Sequence, residues 1–402
     1  MSEPRDTGAF LATSGTPDGT AVQVDATAAV DGAETGSSTA PDLGLFSVLR
    51  DDGTAAPDHG MDLALAMRAY REIKRLRLLD ARMILLQRQG RVGFYGACTG
   101  QEATPIATAL SLSPSDWVFP ALRESVMMLV RGFPLRTYIA QVFGNSGDNQ
   151  KGRQQPSHMS GRAVNQVSWS SCIGTQLPQA VGAAWASKLR GDGAAVIGFL
   201  GDGATSEPDF HIALNFAGVY RVPCVIICQN NHWAISVPTS RQTASTTLAI
   251  KGRAYGVPSI RVDGNDVLAI HRVVTDAVAR ARSGGGPTFI EALTYRIGAH
   301  STSDDPSLYR SQDEVERWMQ RDPLARLRRY LVAQGVLDDA ADAEMEKVLN
   351  GEIAAAITEV EALSPPERDS IFDDVYAELP WHLREQREEL RRSRPAPGHG
   401  RS

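Results

Sequence analysis

Apolar positions fall along this chain in two patterns, short unbroken runs and longer stretches at helical spacing. The clearest runs are Ala194-Ala195-Val196-Ile197-Gly198-Phe199-Leu200 and Cys224-Val225-Ile226-Ile227-Cys228. Each has the length and composition of a strand buried on both faces. Between them, Phe210, Ala213, Leu214 and Ala217 recur along one helix face. A strand–helix–strand unit predicts parallel neighbours whose following loops leave the same sheet edge. The first loop is Gly201-Asp202-Gly203-Ala204 and runs on through Thr205-Ser206-Glu207-Pro208-Asp209. The second is Asn230-Asn231-His232-Trp233. Ser206 with Asp209 three residues on has capping-box spacing, and Pro208 is tolerated in a first helical turn.

The rest of the pattern extends this unit. Ile73, Leu76, Leu79, Met83 and Leu86 predict a long helix over 61–88. Arg71, Lys74, Arg75 and Arg77 fall among them and predict a solvated face. A glycine-rich loop over 90–100 leads to a second helix over 101–112, and residues 113–124 form an irregular segment. Residues 144–160 read as a long polar loop carrying Lys151, Arg153 and His158. Loops of that length in compact domains are often functional. A helix follows over 175–189. After a polar stretch over 236–254 come a short strand over 259–262 and a turn over 263–266. Val267, Ile270, Val274, Ala277, Val278 and Ala281 then mark a crossover helix, and 288–293 a buried strand. Residues 320–392 read as helices interrupted at Ser364-Pro365-Pro366. The fold class expected is α/β, a doubly wound parallel sheet with N- and C-terminal helical extensions.

Composition divides the chain. Residues 1–42 are rich in Ala, Gly, Thr, Ser and Asp and contain few large apolar residues. Burial there cannot offset the entropy of ordering, so a disordered tail is expected. Residues 43–390 are expected to form a single domain, with 43–57 lying extended over it or over a partner, and 391–402 an exposed tail. A net charge of −6 implies no general attraction to nucleic acid. No apolar run is long enough to span a membrane, and no secretory leader is apparent. Cys224 and Cys228 lie within a predicted strand, where they act as small apolar residues. With Cys98 and Cys172 they suggest no disulfide framework, which fits a reducing compartment.

Chemistry concentrates at the predicted edge. Open α/β sheets bind ligands at the C-terminal ends of their strands. There the loops bring together Asp202 and Asn231, a carboxylate and an amide oxygen of the kind that magnesium or calcium takes. The helix N-terminus beside them suits a phosphate. Either loop alone would be an ordinary turn. At equivalent positions of one unit, they favour a diphosphate–metal site.

Gly201-Asp202-Gly203 followed by Asn230-Asn231 resembles the thiamin diphosphate signature of thiamin-dependent enzymes. Further stretches extend the match. They are Lys151-Gly152-Arg153-Gln154, Thr175-Gln176-Leu177-Pro178-Gln179-Ala180-Val181-Gly182, Arg261-Val262-Asp263-Gly264-Asn265-Asp266 and the segment from Thr294 through His300 to Asp305. In this order they resemble the alpha subunit of the branched-chain 2-oxo acid dehydrogenase decarboxylase component. The resemblance covers roughly residues 62–390.

The resemblance implies a set of site residues. Asp202, the Asn231 side chain and the Trp233 backbone carbonyl would hold Mg2+. Gly201, Gly203 and Ala204 would contact the diphosphate through backbone, and Arg123 through its guanidinium. Ser171 and the backbone near Ile173 would contact thiamin, and His300 would transfer protons near the reacting centre, histidine being a group that titrates near neutrality. Ser170, Thr175 and Gln176 could hold K+ in the same turn. The hydroxyls of Ser170 and Ser171 could equally serve hydrogen bonding at the start of the helix. Three positions depart from the family: Leu122 lacks an aromatic hydroxyl, Cys172 replaces a proline and Gln229 replaces an arginine found in some relatives. Serines matching Ser301 and Ser311 are phosphorylated in some relatives.

The implied reaction is oxidative decarboxylation of a branched 2-oxo acid, with acyl transfer to a lipoyl group. Thiamin activation needs a carboxylate that the family takes from a separate beta subunit. An alpha2-beta2 assembly serving a lipoyl acyltransferase is therefore expected. The compartment would be the cytoplasm in a bacterium and the mitochondrial matrix in a eukaryote. A pyruvate or acetoin enzyme is the alternative substrate reading, and a non-catalytic scaffold subunit the alternative of another class.

Overall fold

The computed structural model describes residues 43–57 and 60–393. The tail expected over 1–42 lies outside the described residues, as does 394–402 of the expected C-terminal tail. In chain order the elements are β1 (Leu45–Phe46), α1 (Leu63–Arg88), α2 (Ala103–Leu110), β2 (Trp117–Phe119), α3 (Met127–Val130), α4 (Leu135–Phe143) and α5 (Gln176–Arg190). Then come β3 (Val196–Gly201), α6 (Pro208–Tyr220), β4 (Cys224–Asn230), β5 (Trp233–Ala234), β6 (Val237–Pro238), β7 (Ser259–Asp263), α7 (Val267–Arg282) and β8 (Thr288–Leu293). Four helices close the chain: α8 (Gln312–Met319), α9 (Pro323–Ala333), α10 (Asp339–Glu361) and α11 (Trp381–Arg392).

Six strands form one parallel sheet in the order β1-β7-β8-β4-β3-β2, and β5 and β6 form a small antiparallel pair. The α/β parallel architecture expected from the apolar runs is borne out. The runs are apolar throughout because both sheet faces are covered. Ile197, Phe199, Val225, Ile227 and Ile290 pack on the α1, α2 and α7 side. Val196, Leu200, Cys224, Ile226 and Cys228 pack beneath α5 and α6 on the other. β3 and β4 are direct neighbours in register from Val196↔Cys224 to Gly201↔Gln229, so their loops leave side by side.

The N-terminal segment lies on the sheet. β1 pairs with β7, and the Asp266 carboxylate accepts hydrogen bonds from the Val48 and Leu49 amides at 2.6 Å. The same carboxylate caps α7 by accepting from Leu268 and Ala269 at 3.0 Å.

Two local expectations are corrected. Ser206 does not cap α6. Residues 203–206 form a short 3-10 turn, Glu207 is the cap residue without a side-chain cap, and the Ser206 hydroxyl donates to the Gln242 carbonyl at 3.4 Å. A proline at the first helical position leaves one fewer unpaired amide at this helix start. The basic run on α1 is not a solvated face. Lys74 is buried and pairs with Asp342 at 2.6 Å and Glu346 at 3.2 Å. Arg77 joins Glu102 and Asp322, Arg75 joins Glu72, and Arg71 joins Glu352. Helical periodicity marks which face carries charge. It cannot reveal that the C-terminal helices return to supply counter-charges.

Candidate active site

Four parallel strands deliver the candidate groups to one edge. The segment after β2 carries Arg123, the turn after β3 carries Asp202, the turn after β4 carries Asn231, and the segment after β8 leads to His300. The loop preceding α2 closes over them, because Arg123 donates to the Ala97 carbonyl. Arg123 also donates to the His300 carbonyl at 2.7 Å, which links the first and last of these segments directly.

The charges at this edge are unusual. Asp202 is 2% exposed and accepts from Gln242 Nε2 at 2.8 Å and Thr239 Oγ1 at 3.2 Å. Burial pushes its carboxyl above the usual carboxylate range. Arg123 is 6% exposed, and burial, with Arg296 nearby, brings its guanidinium down to about 10. Among the described residues neither group has an opposite charge within ion-pair distance. A buried charge without a partner is costly. A cation beside Asp202 and an anion beside Arg123 would relieve both costs together. A metal–diphosphate unit carries both signs, so the residues fit that group.

Asn231 is buried, and its Oδ1 accepts from the Trp233 amide at 3.2 Å. Its Nδ2 donates to Gln101 Oε1 at 2.9 Å. The Trp233 carbonyl accepts from Arg296 Nη1 at 3.0 Å and keeps a second lone pair. Arg296 also donates to the Ile235 carbonyl at 2.7 Å and so ties the β4 loop to the segment leading to His300. Among the described residues no group of three or more His, Cys, Asp or Glu side chains is arranged for a metal. A cation here would rest on one carboxylate, neutral oxygens and ligand phosphate, which is magnesium's habit.

The glycines act through their missing side chains. Neither Gly201 nor Gly203 has a positive φ. A Cβ on Gly201 would project into open space, whereas one on Gly203 would lie 2.6 Å from Ala234 Cβ. Ala204 is buried behind them. Gln229, in place of a cation, donates to the buried Glu124 and points beneath the Arg123 segment. Leu122 packs on the core and would meet a Cβ on Gly96 at 3.3 Å.

His300 is half-buried, and its amide donates to Asp304 Oδ2 at 2.7 Å. Burial, then Arg123 and Arg296, hold its imidazole down at about 4, against the ordinary histidine value assumed from sequence. Its ring is neutral at physiological pH in the protein alone and is a proton acceptor there.

The turn before α5 is more open. Ser170, Ser171 and Ile173 are exposed. Ser171 Oγ lies 2.7 Å from His158 Nε2, and the His158 ring stacks on Trp169 at 3.9 Å. Ser170 Oγ accepts from the Cys172 amide at 3.2 Å, and Thr175 Oγ1 donates to the Cys172 carbonyl at 2.9 Å. Gln176 turns inward, its Nε2 donating to the Phe199 carbonyl at 2.7 Å. Ser170 and Thr175 are thus gathered around Cys172, and Gln176 is directed to the sheet.

Sequence reasoning missed Gln101 and Gln242, which hold the two proposed ligand side chains. Nothing in their local pattern marks them. His158 and Arg296 lay inside motifs already singled out, but their partners are set by the fold.

Known proteins of related sequence place the chain in a family. The chain is 44% identical over 323 residues to 2-oxoisovalerate dehydrogenase subunit alpha 2, mitochondrial, of Arabidopsis thaliana, covering 80% of this chain and 68% of that protein. It is 42% identical over 327 residues to the mitochondrial 2-oxoisovalerate dehydrogenase subunit alpha of Homo sapiens, covering 81% and 74%. It is 42% identical over 357 residues to 2-oxoisovalerate dehydrogenase subunit alpha of Pseudomonas aeruginosa, covering 86% and 87%. Residues 70–368 match the dehydrogenase E1 component. The chain therefore belongs to the dehydrogenase E1 component family, whose members work with thiamin diphosphate.

Proposed function

We propose that this chain is the alpha subunit of a thiamin diphosphate-dependent 2-oxo acid dehydrogenase that acts on branched-chain 2-oxo acids. The observation that carries the reading is the pair of buried, unpaired opposite charges, Asp202 and Arg123, at one sheet edge. Similarity to 2-oxoisovalerate dehydrogenase alpha subunits over most of the chain supports the substrate class.

In this reading Asp202, the Asn231 amide oxygen and the Trp233 carbonyl hold Mg2+. Arg123 and the backbone of Gly201, Gly203 and Ala204 hold the diphosphate. Ser171, hydrogen-bonded to His158, and the exposed Ile173 line the thiamin side. When bound, thiamin diphosphate supplies a nucleophilic carbon for a keto group and a sink for the electrons left by carbon dioxide. His300 holds or accepts a proton beside that centre, and Asp304, hydrogen-bonded to its backbone, fixes its position. Ser170 and Thr175 support a K+ site around the Cys172 turn. Gln176 joins only after its side chain leaves the Phe199 carbonyl.

A beta subunit supplies the activating carboxylate in an alpha2-beta2 assembly, and a lipoyl acyltransferase takes the acyl group. The expected compartment is the cytoplasm of a bacterium, or the mitochondrial matrix in a eukaryote. No helix among the described residues is long and apolar enough to cross a membrane.

The test is calorimetric titration of the co-purified alpha–beta complex with thiamin diphosphate, with and without Mg2+. Asp202→Ala should abolish the Mg2+-dependent part, because it removes the one charged protein ligand. Unchanged affinity would move the metal site elsewhere.

A further inference from the structure

Gln101 lies two residues before α2, fully buried, and among the described residues its side chain makes one hydrogen bond, accepted from Asn231. We infer that Gln101 is a positioning residue that sets which end of the Asn231 amide faces the cation; this rests on the metal reading above. The Trp233 N–H can only donate, so the Asn231 atom that meets it at 3.2 Å must be the oxygen. That leaves Nδ2 to face Gln101, which must then present its own oxygen, as found at 2.9 Å. The two contacts fix the Asn231 oxygen on the Trp233 side, where it keeps one lone pair for a cation.

The contact has a cost. Gln101 Nε2 is buried without a partner among the described residues. A stranded donor costs stability, and methionine would fill similar space without one. The amide is therefore explained by what its oxygen does. Without that acceptor only the Trp233 N–H holds the orientation, and the Asn231 amide turns more readily to offer Nδ2 to a divalent cation, which repels it.

The idea separates from a merely structural role by changing the background. A carboxylate has oxygen at both ends, so in Asn231→Asp no orientation needs fixing. Gln101 can then rotate and donate Nε2 to it. The experiment uses the alpha–beta complex saturated with thiamin diphosphate and titrated with Mg2+ by calorimetry. Gln101→Met should weaken Mg2+ binding roughly 10- to 100-fold, the usual effect of losing a group that orients a metal ligand. In the Asn231→Asp background the same change should cost several-fold less, because only a hydrogen bond is lost and no amide orientation remains to be set. Equal losses in both backgrounds, or no loss from Gln101→Met alone, would overturn the orienting role. Asp202→Asn is the companion variant. If it leaves Mg2+ affinity unchanged, the metal site itself is misplaced. If it weakens binding while Gln101→Met does not, only the role of Gln101 falls.

Discussion

Gly100 sits where the loop before α2 passes beneath the exit of β8, and its replacement by alanine should be costly for two separable reasons. Its φ is +93°, in a region that side chains disfavour. An added Cβ would also lie 2.4 Å from Ile297 Cγ1 and 2.7 Å from the Tyr295 carbonyl oxygen. The first contact could relax by side-chain rotation, but the second is with backbone. The left-handed conformation accounts for about 1 kcal/mol. Forcing a methyl group into a filled space adds about 1–3 kcal/mol. Gly100→Ala should therefore destabilise by about 2–4 kcal/mol. Gly90 supplies the control: its φ is +71°, but an added Cβ meets nothing within 4 Å. Gly90→Ala should lose only the conformational part, about 1 kcal/mol. Urea unfolding at fixed protein concentration reads both as shifts of midpoint at unchanged slope. Because Tyr295 and Ile297 flank Arg296, Gly100→Ala should also weaken thiamin diphosphate binding, and Gly90→Ala should not. Equal midpoints for the two variants would refute the close-approach argument.

Other outcomes follow from the same geometry. His300→Ala should retain cofactor binding by calorimetry while decarboxylation is lost; full activity would remove His300 from the reaction. Arg123→Gln should raise the His300 value from about 4 toward the ordinary histidine range, read from the imidazole C–H proton resonances in the cofactor-free protein. The folded protein resists protonating His300, so its contribution to stability is complete above the ordinary histidine value and is lost as pH falls toward 4. Arg123→Gln should narrow that window. Asp342 accepts from Tyr70 at 2.8 Å and pairs with Lys74 at 2.6 Å and Arg328 at 3.0 Å. Asp342→Ala leaves the buried lysine with Glu346 as its remaining carboxylate and should cost about 1–3 kcal/mol in urea unfolding. A loss under about 0.5 kcal/mol, the usual surface effect, would mean that water already screens the cluster.

What could be read from the sequence divides along physical lines. β3 and β4 could be read because a parallel sheet covered on both faces requires unbroken apolar runs, and α6 and α7 because one face of each carries the core. The apolar runs alone therefore put Asp202 and Asn231 on one edge. Partners that the chain meets only after long excursions could not be read. Asp342 and Glu346 reach Lys74 from 268 and 272 positions away, and no local pattern announces them. Gln101 is 130 positions from Asn231 and resembles any polar residue at the start of a helix. The His300 side chain could be named but not its protonation, because that depends on Arg123 and Arg296 converging on it. The capping box failed for a local reason, a 3-10 turn that inserts before Pro208.

In the proposed reading this chain anchors the diphosphate half of a branched-chain 2-oxo acid dehydrogenase. The most direct test is the decarboxylation rate of the co-purified alpha–beta complex, with thiamin diphosphate and Mg2+, on 3-methyl-2-oxobutanoate and on pyruvate. Turnover of the branched acid is expected at a kcat/KM at least about tenfold above that of pyruvate, a difference that one or two methyl groups in an apolar pocket can supply. Turnover of pyruvate without turnover of the branched acid would contradict the substrate assignment, and turnover of neither would contradict the catalytic one.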